Sequence, residues 1–208
     1  MSTADRTRRL LAAGSVLLAY PDQATLDRVP LVRDHLAGLP AAARDPLAAT
    51  LDWLGGVRLI EAQEHYVEIF DRRRKACLYL SYFLNGDTRA RGMALVGFKQ
   101  AYQEAGFTIG DGELPDFLPV VLEFGAIGDV DAALALLGRH RAGLELLHHA
   151  LAEFASPYAD VVAALLPVVP MGIEGPTAEA LAASGPPTEM VGLTPFIPVE
   201  SLRVGART

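Results

Sequence analysis

The 208-residue sequence predicts an all-α protein, a single bundle-like domain of about eight helices followed by a proline- and glycine-rich tail. Three observations predict it. Apolar residues recur at helical spacing along most of the chain, and no stretch alternates with the period of two of a half-buried strand. Glycine, proline and capping residues interrupt this pattern at helix-length intervals. Hydrophobic residues make up 51% of the chain, enough at this length for one substantial core.

The first helix is read in LLAAGSVLLAYPD, where Leu10, Gly14, Leu17 and Leu18 share a stripe that Pro21 ends. Arg6, Arg8 and Arg9 ahead of this apolar run resemble the start of a secretory leader. No small-x-small cleavage site precedes Asp22, so the segment is assigned to the domain itself. Residues 23–37 make a weaker helix between Pro21 and Pro40. Residues 45–70 are mostly helical with a break at Gly55-Gly56. Their second half sets Leu59, Ala62, Tyr66, Ile69 and Phe70 on one face and Arg58, Glu61, Glu64, His65 and Glu68 on the other. KACLYLSYFLNGD is apolar nearly all round, which predicts a central buried helix closed at Asn85-Gly86, with Cys77 a packed thiol. Asp87 or Thr88 caps the next helix, which buries Leu95, Phe98, Tyr102 and Ala105 and stops at Gly106. The loop FTIGDGELP follows.

The stretch GELPDFLPVVLEFGAIGDVD carries prolines and acids within an otherwise apolar helix. A helix beginning at Phe117 makes Asp116 its N-cap and puts Pro119 in the first turn, where its missing N–H costs nothing. Pro115 stays outside and keeps Leu114 extended. Glu123 lies seven residues after Asp116, so both acids are expected to point the same way, toward a basic group such as Arg72, Arg73 or Arg74 or into a cleft. Asp129 caps a helix through Leu137, residues 139–155 continue helically, and Ser156 caps a last helix with Pro157 at its first position. From Pro167 onward lie seven of the fourteen prolines. The helical domain is therefore assigned to residues 1–168 and an extended or disordered tail to residues 169–208.

Composition narrows the function classes. A net charge of −7 and a pI near 5.2 argue against a nucleic-acid binder. One cysteine supports neither an internal disulfide nor a four-thiolate metal site. No run approaches the roughly 18 apolar residues of a membrane span, so a cytoplasmic protein without membrane insertion is expected. Glycine-loop, GxSxG and CxxC signatures are missing. A carboxylate-bridged di-iron bundle needs two Glu-x-x-His pairs, and Glu145 with His148 is the only one present. That metal-dependent enzyme stays as the alternative; the main expectation is a non-enzyme with no cofactor. The basic run Asp71–Lys75, DRRRK, is either a solvated helix junction or a contact for an acidic or carbonyl-rich partner.

The pieces LLAYPD, HYVEIFDRRRKACLYLSYFLNGDTRARGMAL and ELPDFLPVVLEF, in this order between about residues 10 and 165, resemble the NarJ-type chaperones of respiratory nitrate reductase assembly, within the TorD-like group of redox-enzyme maturation chaperones. Glu113, Pro115 and Asp116 fit that group's signature loop, but Phe117 stands where the group has a histidine. The resemblance implies an all-helical cytoplasmic chaperone that binds the N-terminus of the catalytic (alpha) subunit of nitrate reductase. It further implies that the chaperone assists molybdenum cofactor insertion, delays docking on the membrane subunit and is absent from the mature enzyme. A dimethyl sulfoxide or formate-type reductase is the other client of this kind. Helix-in-groove recognition fits such a task, and the candidate groove is Tyr66, Phe70, Leu114, Leu118, Leu122 and Phe124, rimmed by Asp71, Arg72, Asp116 and Glu123.

Overall fold

The structure is a computed structural model that describes residues 1–86, 88–110, 112–172 and 176–185. Helix α1 (Thr3–Leu18) opens on a capping box: Ser2 Oγ accepts the Asp5 N–H, and the Asp5 carboxylate accepts the Ser2 N–H. Asp22 caps α2 (Gln23–Asp27) by accepting the Thr25 N–H at 2.7 Å. The single helix expected over residues 23–37 is two, because Pro30 has no N–H to continue α2 and instead sits in the first turn of α3 (Val29–Leu36). Helix α4 (Ala41–Gly56) stops at the paired glycines and α5 (Leu59–Tyr66) restarts after a two-residue gap, at the break the sequence predicts.

Beyond α5 the chain widens into a π-helical turn, Val67–Asp71, which the Arg72 N–H closes on the Val67 carbonyl at 3.2 Å. A 3₁₀ turn at Arg74–Ala76 follows. Here the expectation of a continuous central helix fails. Residues 77–80 are extended, and only Tyr82–Asn85 (α6) is helical. The extended piece is strapped to the segment before α8 (Leu118–Ile127): the Leu80 N–H donates to the Asp116 carbonyl at 2.9 Å and the Leu118 N–H to the Leu78 carbonyl at 2.8 Å. An apolar run satisfies a buried strap as well as a buried helix, and tertiary pairing decides between them.

Helix α7 (Arg89–Glu104) buries Phe98 and Tyr102, with Leu95 and Ala105 half-buried, and ends at Gly106, whose φ of 80° turns the chain in the left-handed conformation. Thr88 occupies its N-cap position, and Asp87 lies outside the described residues. Helix α9 (Val130–Arg139) is capped by Asp129, whose carboxylate accepts the Asp131 and Ala132 N–H groups, both at 3.0 Å. Helices α10 (Arg141–Glu153) and α11 (Tyr158–Leu165) follow, the latter running into a 3₁₀ turn, Leu166–Val168. Ser156 is not the cap of α11; its hydroxyl is engaged by His65 Nε2 at 3.0 Å, and Pro157 takes the cap position. Within the segment assigned to an extended tail, Ala178–Ser184 forms α12, capped by Thr177 and resting on α10 through the buried Leu181. The described residues thus hold twelve α-helical segments where about eight were expected, several of them a single turn or two.

The core forms where α1 lies along α8, with α9 packed on α8 and touching α1, α11 packed on α1, and α4 and α10 packed on α11. Gly125 makes the closest contact possible: a Cβ there would sit 2.6 Å from Leu11 Cδ1 and 2.7 Å from Ala133 Cβ. Arg8 of α1 donates to the Gly128 carbonyl at 2.8 Å, placing a cation at the negative end of α8.

Candidate partner-binding cleft

The sequence-selected residues fall into three settings. Leu118 and Leu122 are fully buried and Phe124 is 4% exposed; Leu122 faces Gly14 of α1, and Phe124 packs against Tyr102 and Phe107. These three lie in the core, on the faces of α8 turned inward, while Glu123 and Ile127 hold its exposed side.

Asp116, the expected N-cap, is also fully buried and does not cap α8; Phe117 holds that position without a side-chain bond. One oxygen of Asp116 accepts from the Ser81 hydroxyl at 2.5 Å and the Ser81 N–H at 3.2 Å and lies 3.8 Å from Arg91. Among the described residues its other oxygen has no hydrogen-bond donor. Asp116 is therefore the fastener of the strap, not a rim residue. Phe117, in the place of the signature histidine, packs on Tyr79 with centroids 5.3 Å apart, and the Arg91 guanidinium covers the Tyr79 ring at 5.3 Å. Leu114 is 42% exposed beside this cluster. Glu123 is exposed on α8 while Asp116 is interior, so the two acids do not converge: Asp116 precedes the helix whose period would have aligned them.

The third setting joins two of the quoted motifs. Tyr66 is buried, and its hydroxyl donates to the Leu18 carbonyl at 3.1 Å, tying α5 to the end of α1. Burial, with Tyr158, Asp71 and Tyr79 nearby, pushes its phenol above the ordinary tyrosine range. Its ring meets Tyr20 edge-on at 5.4 Å and Phe70 at 4.6 Å, and Phe70 packs on Tyr158 at 5.0 Å. Tyr66 and Phe70 are thus supports that fix the π turn against α11. Trp53 and His65 complete the aromatic floor, and desolvation lowers the His65 pKa.

What this floor presents outward is an open cleft of about 480 Å³. Tyr20, Ile60 and Val67 are its apolar lining residues; Gln63, Glu64, Glu68 and Arg72 are its polar ones. Ile60 is 51% and Tyr20 45% exposed, high values for large apolar side chains. Glu68 is held by Arg73 through two bonds, 2.6 and 3.1 Å, and by Arg72 at 3.3 Å, while the Arg73 guanidinium rests on the Phe154 ring at 5.0 Å. Glu61, just outside, is paired with Arg58 at 2.6 Å. These pairs hold the Glu61 and Glu68 carboxyls below the usual range. Asp71 and Arg72 are exposed at the exit of the π turn. Of the expected groove only Arg72 lines this cleft. The missed residues had one signal: Ile60 interrupts the otherwise polar face of α5.

Among the described residues, no three histidine, cysteine or acidic side chains are placed to share a metal ion, and no helix is long and apolar enough to cross a membrane.

The chain matches the family model described as nitrate reductase delta subunit over residues 36–164. It is 31% identical over 167 residues, covering 80% of this chain and 90% of the relative, to the probable nitrate reductase molybdenum cofactor assembly chaperone NarJ of Bacillus subtilis. It is 43% identical over 151 residues to the nitrate reductase-like protein NarX of Mycobacterium tuberculosis; that match takes in 73% of this chain and spans 23% of the relative's length. Among solved structures, a putative redox enzyme maturation protein from Archaeoglobus fulgidus has the same fold, with a TM-score of 0.57 at 22% identity over 77% of this chain and 91% of that one.

Proposed function

The chain belongs to the nitrate reductase delta subunit family, and from that premise we propose that it is an assembly chaperone that binds the N-terminal segment of the reductase's catalytic subunit and assists insertion of the molybdenum cofactor before membrane docking. The observation that carries the reading is the cleft at the junction of LLAYPD and HYVEIFDRRR. It exposes aliphatic and aromatic surface beside acids and an arginine, on a floor of buried aromatics that needs no client to stay in place. Such a surface suits an amphipathic segment laid into a groove. Two or three apolar anchors at about 1.5–3 kcal/mol each, less the cost of ordering a peptide, leave micromolar binding or somewhat tighter, which suits a partner that must be released.

The test is calorimetry with a synthetic peptide of the catalytic subunit's N-terminus. Saturable binding with a negative heat-capacity change is expected. It should weaken in Ile60→Asn and in Tyr20→Ala, both changes at exposed side chains that leave the core intact. A folded protein that shows no saturable binding to this peptide would overturn the proposal.

A further inference from the structure

Ile60, Glu64 and Val67 stand at successive turns of one face of α5 and its π continuation, opposite Tyr20, and they make the ridge of the cleft. The charge along this ridge is unevenly compensated. Glu61 is occupied by Arg58 and Glu68 by Arg72 and Arg73, whereas Glu64, exposed between the two apolar positions, is in no ion pair among the described residues. Resting on the chaperone reading, we infer that the cleft selects a partner helix that presents an apolar side chain, a lysine or arginine, and a second apolar side chain at successive turns, with Glu64 the group that reads the cation. The apolar pair packs between Tyr20 and the ridge at Ile60 and Val67. The partner's cation meets the one cleft carboxylate that is in no ion pair among the described residues. Glu68 cannot serve in the same way, because a cation approaching it must displace two guanidinium groups. A peptide with an acid at the central position would bring like charges together on desolvation, which costs affinity.

The experiment uses the full chain and two fluorescein-labelled helical peptides of about sixteen residues, long enough to hold some helix. They are identical except for the central position, leucine–lysine–leucine in one and leucine–glutamate–leucine in the other. The native protein should prefer the lysine peptide by about fivefold or more at low salt, with the preference shrinking at high salt. Glu64→Lys should reverse the preference, and Glu64→Gln should abolish it; Glu64 is exposed, so both variants are expected to melt like the native protein. Equal binding of the two peptides to native protein, or an unchanged preference in Glu64→Lys, would overturn the inference. The reductase peptide separates the two levels: if it binds native protein and Glu64→Lys equally, the assembly reading stands and the role of Glu64 falls. If the designed peptides discriminate and the reductase peptide does not bind, the client reading falls and the charge rule stands.

Discussion

Removal of the Asp116 carboxylate gives the sharpest test of the strap. In the fold this side chain and Ser81 are both fully buried, and a single carboxylate oxygen accepts the Ser81 hydroxyl and the Ser81 N–H. Asp116→Ala leaves both donors without an acceptor. A buried donor left unmet costs about 1–3 kcal/mol, and the hydroxyl can rotate to another acceptor where the N–H cannot, so a loss of about 2–4 kcal/mol is expected. Asp116→Asn keeps an oxygen for Ser81 and gives up only the charge facing Arg91, which places it at about 1 kcal/mol. Denaturant unfolding measures both, provided the slope is unchanged. Ser81→Ala completes a double-mutant cycle, for which a coupling of about 1–2 kcal/mol is expected because the two side chains share the bond. Were Asp116 an N-cap, alanine would cost about 0.5–2 kcal/mol, asparagine nothing, and Ser81 would be uncoupled. Strict additivity with Ser81→Ala would refute the fastener role.

Three other perturbations have definite signs. His140, 8% exposed and stacked on Phe98, is lowered by burial to a pKa of about 4 from 6.5, with Arg139 adding to the effect and a backbone hydrogen bond with Leu80 opposing it. As pH falls the unfolded chain takes up this proton first, so stability should be whole above about pH 6.5 and should drop by about 3 kcal/mol by pH 4. In His140→Phe that limb of a stability-versus-pH curve should flatten, apart from a smaller contribution of the same sign from the half-buried His65. Gly125→Ala drives a methyl into Leu11 and Ala133 and should cost about 1–3 kcal/mol in thermal or urea unfolding, with Leu11→Ala recovering part of it in the double variant. Tyr66→Phe removes the bond to the Leu18 carbonyl and should cost about 1 kcal/mol. It should also weaken peptide binding at the cleft, because the Tyr66 ring anchored by that bond packs edge-on against Tyr20; unchanged affinity would show that Tyr20 holds its position without it.

The fold class was legible because periodicity and punctuation agree: Asp22, Asp129, Gly56 and Gly106 sit where helices start or stop. What was illegible depended on contacts distant in sequence. Residues 77–80 read as helix because their apolar run satisfies either conformation, and only the backbone of residues 116–118 decides the matter. Asp116 has the sequence signature of a cap, yet a serine thirty-five residues earlier claims it. The exposure of the candidate groove residues was misread for a related reason. Hydrophobicity marked Leu118, Leu122 and Phe124 as prominent, but prominence in a sequence more often means burial than display. An apolar residue on a polar face, such as Ile60 among Arg58, Glu61 and Glu64, was the better sign of a surface.

The bridge between Leu78 and Leu118 also bears on how the molecule comes together. Its two bonds close a loop of about forty residues, and the chain entropy of that closure is on the order of 3 kcal/mol. Two hydrogen bonds alone do not repay this, so the bridge is expected to close only once α8 is seated on α1 and offers an immobile edge. The described segment it encloses, α6 and α7 with positive φ at Gly86 and Gly106, is held by that closure together with the packing of Phe98 on His140 and of Tyr102 on Phe124. Amide exchange should accordingly find α6 and α7 opening together, at a free energy below that of the global unfolding reported by α1 and α8.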